Sequence, residues 1–590
     1  LGFKLFVFLI ISVRLYYLQI IKESKYKTLS DSNRIRFSVI PPLRGIISDV
    51  NSKELAINQN YYRILLNIRK KTDLRPLLSK LSYHLGLNYE EQEELIQTIQ
   101  NKKPSRGTIL IYDHLNWQQI ARVSANAHNL PGLSIDIAQI RFYPNGYNYA
   151  HIIGYVSTIS KKEKENSDNP LYDNPDFKIG KRGIEKYYDS TLQGKSGVKQ
   201  LEVNAHGLPV RELSNKESTP GDNISLTINI DIQNYVMSLL KEQNGSVVVM
   251  DVDNGDVLAM CSSPSFDPNK FTYGISSGEW NNLINNQDKP LLNRAIASSY
   301  PPGSTFKLIT ALAIQEAGIS RNKLVYCPGY YTLGRRRFHC WKEDGHGYVN
   351  LRSAIKTSCN TYFYDLSQRI GIDAIVNIAN KLDFNSKTNI NILGEISNNL
   401  PTREWKQRRF NQRWQKGDTL NTAIGQGYVS ATPVKLAAMM ASLANKYKLV
   451  VPNLTKDNNH AAKFKNLDIN PTHISYVLDA MEAVTNEVGG TAYGSRIWDK
   501  KYAFAGKTGT AQVVSKSVNE GIDEADIIKR NKNHAIFVGY APLKKPKYAI
   551  SVIMEHGGSG SRVAAPVARD VLHMVQKYYD GKYDVKKEEA

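Results

Sequence analysis

The stretch Ser246-Val247-Val248-Val249-Met250-Asp251-Val252-Asp253-Asn254-Gly255-Asp256-Val257-Leu258-Ala259-Met260 decides the fold of the larger part of this chain. Two short apolar runs flank Asp253-Asn254-Gly255, and an Asn-Gly pair between two such runs is a strong signal for a β-hairpin. The sequence therefore predicts two antiparallel strands at this point.

Three further strands are predicted late in the chain, around residues 502–514, 535–540 and 548–554, and a helical segment from about 564 to 578 follows them. Helical patterns dominate the stretch between the early and the late strands. Strands at both ends of a helical region indicate an α+β domain, because the chain must leave an antiparallel sheet and return to it. We predict such a domain, a five-stranded antiparallel sheet flanked by helices, over residues 223–580.

The region from residue 31 to 222 has a different pattern, with short strands such as 61–68, a charged helical stretch around 90–100 and many Gly and Pro turns. It is expected to form an elongated, non-catalytic module. A total of 590 residues fits two or three domains. Residues 581–590 form a charged tail.

The first thirteen residues are almost entirely apolar, and Arg14, Tyr16 and Tyr17 end the run with basic and aromatic side chains. This composition predicts a transmembrane helix over residues 1–21. The run is shorter than the roughly 20 apolar residues of a full span, and the chain opens with Leu1, so we expect a truncated anchor, with an upstream segment missing or the start mis-set. A cleaved signal peptide is the alternative, but no small-x-small cleavage site follows.

The net charge of +21 comes from 76 basic and 55 acidic residues. The basic residues are scattered, and no run interleaves them with aromatic residues in the way that nucleic-acid-binding proteins do. We therefore expect no nucleic-acid partner.

The segment Tyr300-Pro301-Pro302-Gly303-Ser304-Thr305-Phe306-Lys307 predicts a turn that leads into an apolar helix ending near Gly318. A spacing of three residues places Lys307 one turn from Ser304 on the same face. A serine hydroxyl is a weak nucleophile until a neighbour accepts its proton, and a desolvated lysine can do so. Ser304 is therefore a candidate nucleophile with Lys307 as its base.

Ser-x-x-Lys alone is a weak signal, because it also occurs at Ser24, Ser320 and Ser353. Two further elements follow in order along the chain: Ser358-Cys359-Asn360, between two helical segments, and Lys507-Thr508-Gly509-Thr510, on a late strand. A loop would present Ser358 and Asn360 to the nucleophile, and Gly509 would allow a substrate backbone to approach the strand. The three elements together form a specific catalytic signature.

This trio is typical of penicillin-binding proteins and class A β-lactamases. The chain further resembles class B, monofunctional penicillin-binding proteins, and within them the penicillin-binding protein 2 group that serves cell-wall elongation. The resemblance covers most of the chain and rests on residues 44–49, 153–156, 183–185, 264–269, 330–334, 341, 345–347, 425–427, 538–542 and 555–558.

The resemblance implies a peptidoglycan D,D-transpeptidase that acts in elongation and rod-shape maintenance and is a target of β-lactams. Ser304 would attack a stem peptide ending in D-Ala-D-Ala, release the last D-alanine and pass the acyl group to an amine on a neighbouring strand. Lys307 would be the base, and Ser358 and Asn360 would relay protons and orient the peptide.

The same resemblance implies that Lys507 and Thr508 hold the terminal carboxylate of the substrate or of a β-lactam. The backbone N–H groups of Ser304 and Thr510 would form the oxyanion hole, and catalysis would need no cofactor. The implied partners are a SEDS-type membrane glycosyltransferase and other elongation proteins. The implied location is the inner membrane, with a single span and the catalytic domain in the periplasm.

The middle residue of the second element is a cysteine, and Cys327, Cys340 and Cys359 fall in one window together with His346. Three thiolates and an imidazole are a suitable ligand set for tetrahedral zinc, so we predict a structural zinc site. A disulfide and inert buried thiols are the alternatives. Cys261 could complete a second disulfide, and Asp344 or His339 could replace a zinc ligand.

Two other functions remain open from the sequence. A β-lactamase or carboxypeptidase would use the same acyl-enzyme with water as acceptor, but the anchor, the long N-terminal module and the lack of an evident deacylating base argue against it. A scaffold or antibiotic sensor would bind without turning over.

Overall fold

The structure, a computed structural model, describes residues 2–22, 35–68, 74–101, 107–174, 176–203, 209–241, 243–457, 459–513 and 527–581. The chain divides into two compact units, one of residues Ala56–Pro144 and one of the residues on either side. The smaller unit lies within the predicted module of residues 31–222. Apart from residue 581, the predicted charged tail lies outside the described residues.

The smaller unit is a three-stranded antiparallel sheet with three helices. The long strand Glu54–Ile68 pairs with Gly107–Tyr112 and Leu133–Phe142. The helices are Arg75–Leu85, Tyr89–Asn101 and Trp117–Ala125. Apolar residues recur along the first helix at helical spacing and enter the core. The strand predicted at 61–68 and the charged helix predicted at 90–100 are confirmed.

In the larger unit, the part before residue 223 is built from short elements. Its strands are Ile35–Ile40, Ile47–Ser48, Val156–Thr158, Lys178–Gly180, Gly197–Val203 and Pro209–Lys216, and its helices are Ala150–Ile153, Lys161–Glu165, Gly183–Tyr187 and Asp189–Gln193. Arg44 connects distant segments here, because its guanidinium forms an ion pair with the buried Glu185 at 2.6 Å and another with Asp189 at 2.8 Å. Two of the sequence stretches that carried the family resemblance therefore contact each other.

A five-stranded antiparallel sheet forms the centre of the part after residue 223. Its strands are β1 (Gly245–Asp251), β2 (Val257–Ser263), β3 (Ala505–Ala511), β4 (His534–Ala541) and β5 (Tyr548–Met554), in the order β2-β1-β5-β4-β3. The hairpin of β1 and β2 pairs Val249 with Ala259 and has a bulge after Val249. The predicted α+β fold is confirmed, although β3 is shorter than the predicted stretch.

Every residue of β5 is buried, because helices cover both faces of this sheet. Those used below are α1 (Lys307–Glu316), α2 (Asn360–Lys381), α3 (Pro433–Asn445) and α4 (Ala565–Tyr579). The helix α3 packs on β1, β4 and β5, and α4 packs on β4 and β5. Further helices are Ile230–Leu240, Asn269–Tyr273, Ser277–Asn285, Arg294–Ala297, Leu351–Lys356, Arg403–Phe410, Lys416–Ala423 and Pro471–Asn486, and the remaining strands are Ile224–Ser225, Val325–Cys327, Tyr330–Leu333, Arg336–His339 and Gly347–Val349.

The N-terminal apolar stretch is helical. Gly2–Tyr16 is an α-helix that continues as a π-helix over Tyr17–Ile21. Together they form a helix of 20 residues that is long and apolar enough to cross a membrane, and no residue of its most apolar stretch is buried.

Candidate active site

Ser304 lies in a single 3-10 turn, Gly303–Thr305, directly before α1. Every residue from Lys307 to Gln315 is buried, whereas Ser304 is partly accessible. The apolar sequence of α1 therefore anchors the helix in the core and leaves the serine hydroxyl at its accessible end.

Gly303 allows the turn to contact the strand that carries the third sequence element. Its φ is +54°, and a Cβ at this position would lie 2.6 Å from the carbonyl oxygen of Thr510 and 3.1 Å from its nitrogen. On the other side, the Gly303 N–H donates to the carbonyl of Gly425 at 2.9 Å. The absence of a side chain thus lets the backbone of Thr510 face the turn that carries Ser304.

Lys307 is buried at the centre of the site. Its ammonium donates to Asn360 Oδ1 at 2.6 Å and to the carbonyl of Ser358 at 2.8 Å, and it lies 3.4 Å from Ser358 Oγ. Burial lowers the pKa of Lys307 to about 8, because the charged form loses its hydration. A substantial fraction of this amine can therefore be neutral near physiological pH.

Lys507, on β3, approaches the same serine from the other side. Its ammonium donates to Ser358 Oγ at 2.8 Å and to the carbonyl of Thr508 at 3.0 Å. Burial and the neighbouring charge of Lys307 hold the pKa of Lys507 well below its ordinary value. Ser358 Oγ therefore bridges two buried lysines, and this geometry can carry a proton between them.

The second sequence element differs from the prediction in one respect. Ser358 lies in the predicted loop, with a left-handed φ of +56°, but Asn360 is the first residue of α2. Cys359 occupies the N-cap position between them. The amide of Asn360 is thus held by a helix and not by a flexible loop.

The third sequence element, Lys507–Thr510, lies on β3 as predicted, and this strand faces the turn that carries Ser304. A Cβ on Gly509 would lie 3.0 Å from both the carbonyl oxygen of Pro302 and the methyl carbon of Thr305. The expectation that Gly509 makes room for substrate was therefore incomplete, since this glycine makes room for the nucleophile turn itself.

Two further residues at the site were missed by the sequence reasoning. Thr491 Oγ1 lies 2.7 Å from Thr508 Oγ1, and the amide of Gln426 donates to the carbonyl of Thr510 at 2.9 Å. Gln426 belongs to a stretch that carried the family resemblance, but nothing in the local sequence assigned it a contact. Thr491 had no sequence signal at all.

The predicted metal ligands Cys327, Cys340, His346 and Cys359 lie together, and their ligand atoms are all within 4.8 Å of one another. His346 Nδ1 is 3.6 Å from the sulfur of Cys327 and 3.6 Å from that of Cys340. All four cysteines of the chain are free and buried, so the structure contradicts the disulfide alternative. In the described residues, neither His339, Asp344 nor Cys261 belongs to the cluster.

The donor set fits a tetrahedral zinc ion. Zinc–sulfur bonds of about 2.3 Å and zinc–nitrogen bonds of about 2.0–2.1 Å separate neighbouring ligand atoms by roughly 3.5–3.8 Å, which matches the sulfur–nitrogen distances. A hydrogen bond from the Cys359 thiol lowers the pKa of Cys327 to about 5 and also lowers that of Cys340, while the pKa of Cys359 is raised. The cluster therefore carries negative charge that a dication can neutralise.

Other conspicuous residues have structural roles. Glu555 forms an ion pair with the buried Arg294 at 3.2 Å and accepts a hydrogen bond from Tyr300 at 2.7 Å. His534 Nδ1 accepts a hydrogen bond from the backbone N–H of His556 at 3.0 Å. Through its hydrogen bond with Tyr300, which lies just before the nucleophile turn, Glu555 helps to position that turn.

Two family models match the chain. The model described as "Penicillin binding protein transpeptidase domain" matches residues 245–573, and the model described as "Penicillin-binding Protein dimerisation domain" matches residues 39–226.

Curated relatives match over nearly the full chain. The peptidoglycan D,D-transpeptidase MrdA of Haemophilus influenzae is 37% identical over 583 residues, which are 95% of this chain and 88% of that protein. The protein of the same name from Acinetobacter baumannii is 36% identical over 96% of this chain and 86% of its own length.

Solved structures agree with these relatives. The complex between PBP2 and MreC from Helicobacter pylori has a TM-score of 0.82 at 30% identity and covers 93% of this chain and 99% of that one. Pseudomonas aeruginosa PBP2 in complex with WCK 5153 has a TM-score of 0.70 at 31% identity, with 94% and 99% covered. The chain belongs to the class B penicillin-binding proteins, as a serine-type D,D-transpeptidase of the MrdA, or penicillin-binding protein 2, type.

Proposed function

We propose that this enzyme cross-links peptidoglycan stem peptides during cell-wall elongation through an acyl-enzyme on Ser304, and that β-lactams acylate the same serine. One observation carries the assignment of residues: two buried lysines with lowered pKa values, Lys307 and Lys507, share Ser358, and Lys307 begins the helix that directly follows the turn carrying the accessible Ser304. Two desolvated amines around one hydroxyl are expensive to bury and are characteristic of catalytic sites.

In the acylation step, neutral Lys307 accepts the proton of Ser304 Oγ while that oxygen bonds to the carbonyl carbon of the penultimate D-alanine. The N–H groups of Ser304 and Thr510 stabilise the oxyanion, and Thr510 is supported in this role because its backbone faces the nucleophile turn. The peptide C–N bond then breaks, and the departing D-alanine amine takes a proton that reaches it through Ser358.

In the transfer step, an amine of a neighbouring strand attacks the ester carbonyl, and its proton returns through the same groups to Ser304 as the ester bond breaks. Asn360 holds Lys307 in position through the 2.6 Å hydrogen bond. The amine of Lys507, as a hydrogen-bond donor, and the hydroxyl of Thr508 suit the binding of a terminal carboxylate.

The test is the intact mass of the purified enzyme with and without excess penicillin, followed by peptide mapping. We expect one adduct per chain on Ser304 and none in Ser304→Ala. Stoichiometric labelling of folded Ser304→Ala would refute the nucleophile. Rapid release of the adduct from the wild-type enzyme would support a hydrolase instead.

The Cys327, Cys340, His346 and Cys359 cluster is proposed to hold a structural zinc ion, with His346 as an Nδ1 ligand. Cys359 lies between Ser358 and Asn360, so an ion here would hold the loop that contacts both lysines. When bound, the metal would supply rigidity and charge neutralisation, and no step of the reaction passes through it.

Elemental analysis of the purified enzyme tests this site. We expect about one zinc per chain, and loss of that zinc together with a lower Tm in Cys340→Ser. Cys261→Ser is the matched control, because Cys261 is equally buried but lies outside the cluster. A wild-type enzyme without metal, or equal zinc content in both variants, would refute the assignment.

We also propose the domain boundaries and the setting of the enzyme: an anchor at 1–21, a pedestal at 31–222 and the transpeptidase domain at 223–580. The solved relatives include a complex with MreC and a peptidoglycan synthase complex, which supports elongation proteins and a SEDS-type glycosyltransferase as partners. The apolar helix Gly2–Ile21 supports a single-span inner-membrane protein with its catalytic domain in the periplasm.

A further inference from the structure

A surface beside the active site has no role in the chemistry described above. It comprises the helix Arg403–Phe410, the helix Lys416–Ala423, the segment between them and the loop to residue 428, and we call it the 403–428 rim. Its end is part of the site, because Gly425 accepts a hydrogen bond from the Gly303 N–H and Gln426 donates to Thr510. A ligand that leaves the active site on this side must pass over the rim.

Three aromatic rings are clustered on the rim. Trp405 lies 5.6 Å from Phe410 and 5.3 Å from Tyr428 between ring centroids, and Phe410 and Tyr428 are 5.1 Å apart. Clustered aromatic side chains normally bury their apolar surface, but Phe410 is 44% exposed and Tyr428 is 37% exposed. The cluster therefore presents apolar ring surface to solvent two residues from Gln426.

The lysine beneath these rings is fixed. Lys406 is buried, forms an ion pair with Asp418 at 2.5 Å and lies 5.9 Å from the ring centroid of Tyr428. The ring cluster is thus held between two helices by a buried contact, and it is preorganised for a ligand.

The rim is also strongly basic. Arg408, Arg409 and Arg413 are exposed, and none of them forms an ion pair with a residue that the structure describes. Arg403, in contrast, pairs with Asp373 at 3.2 Å. Glu404, one helical turn before Arg408, is an acidic residue whose pKa is lowered first by a backbone hydrogen bond and in part by the charge of Arg408. Three exposed arginines thus lie within four residues of Phe410 in the sequence, and none has an ion-pair partner among the described residues.

A second basic element packs against the rim. The hairpin of Tyr330–Leu333 and Arg336–His339 places Phe338 in one core cluster with Leu420 of the rim. At its tip, the guanidinium of Arg336 lies 5.1 Å from the Phe338 ring centroid, and that of Arg337 lies 4.5 Å from the Tyr330 ring centroid. The same hairpin leads to His339, whose carbonyl accepts a hydrogen bond from Asn360. Both sides of this approach to the active site are therefore positively charged.

We propose that the 403–428 rim binds the peptidoglycan strand that carries the reacting peptide, with sugar rings on the exposed aromatic faces and stem-peptide carboxylates on the arginines. The inference rests on the proposed function, since only a carboxylated, sugar-bearing polymer combines both chemistries with a peptide in the active site. Arginine recognises carboxylates through paired hydrogen bonds, and aromatic rings offer a flat apolar surface with little conformational freedom to lose. The rim thus distinguishes a polymeric strand from a small acyl-D-Ala-D-Ala compound.

The test compares the full-length wild-type enzyme with the triple variant Arg408→Gln/Arg409→Gln/Arg413→Gln and with Phe410→Ala. The matched control is Lys544→Gln/Lys545→Gln/Lys547→Gln, which removes the same charge from exposed positions in the turn between β4 and β5. Each enzyme is assayed for cross-linking of uncross-linked peptidoglycan strands at limiting concentration, at low and high salt, and for the rate of acylation by penicillin.

We expect strand cross-linking by the arginine variant to fall about 5- to 20-fold, because each exposed arginine–carboxylate pair contributes a factor of roughly two to three. Its residual activity should lose most of its salt dependence. Penicillin acylation should stay within about twofold of wild type, and the lysine control should match wild type in every assay.

If the arginine variant and Phe410→Ala both cross-linked strands at the wild-type rate, the proposal would be overturned. An equal loss of penicillin acylation and of strand cross-linking would also overturn it, because the rim would then act only by shaping the catalytic site. Failure of the proposed function has a different signature, since the wild-type enzyme itself would then form no penicillin adduct.

Discussion

Substitution of Gly303 by alanine should disable the active site while leaving the domain folded. A Cβ at this position would lie 2.6 Å from the Thr510 carbonyl oxygen, whereas ordinary contacts begin at 3.4 Å. The nucleophile turn and β3 must therefore separate by about 0.8 Å. The positive φ of +54° adds about 1–2 kcal/mol of backbone strain for any residue with a side chain.

A displacement of this size between nucleophile and oxyanion donors is large for catalysis, since misplacement by about 1 Å can reduce a rate 100-fold. We expect the second-order rate of penicillin acylation of Gly303→Ala to fall by at least about 50-fold. The backbone strain alone should lower the Tm by only a few degrees.

Gly318→Ala is the matched control for this experiment. Gly318 also has a positive φ, +76°, and lies just beyond the other end of α1, but a Cβ there would meet nothing within 4 Å. It should show a similar loss of Tm and a wild-type acylation rate. If Gly303→Ala were acylated as fast as wild type, or Gly318→Ala as slowly as Gly303→Ala, the steric argument would be wrong.

Two predictions concern pH. The rate of penicillin acylation should rise nearly tenfold from pH 6 to 7 and level off above the Lys307 pKa of about 8, because only the neutral amine accepts a proton, and a flat profile would exclude Lys307 as the base. Burial and then the neighbouring His556 lower the pKa of His534 to about 4. The unfolded chain therefore binds more protons between about pH 6.5 and 4, and stability should be lost as pH falls through that window, by roughly 3 kcal/mol at most. His534→Asn should flatten this loss in urea-unfolding curves measured from pH 7 to 4, and an unchanged slope would contradict the assignment.

Local sequence patterns were sufficient for much of the fold. The Asp253-Asn254-Gly255 turn between two apolar runs predicted the hairpin of β1 and β2, because turn chemistry and strand periodicity depend on neighbouring residues alone. The same holds for α1, whose continuous apolar sequence matches a helix that is buried on all sides.

The ends of elements were less predictable. The helix α2 begins at Asn360, within the element predicted as a loop, and Cys359 takes the N-cap position with its side chain directed to Cys327 and Cys340 rather than to the helix end. This arrangement depends on residues far away in sequence, so no local pattern could reveal it.

The sequence by itself determined the types of reactive group and their order: a serine with a lysine one turn later, a second serine with an asparagine, and a lysine on a late strand. Only the tertiary structure decided that Lys307 and Lys507 meet at Ser358, that Gly509 makes room for the nucleophile turn, and that Thr491 and Gln426 support the third element. The physical reason is that these contacts join residues between 17 and more than 200 positions apart in the chain, and their distances follow from how helices and sheet pack around the buried core.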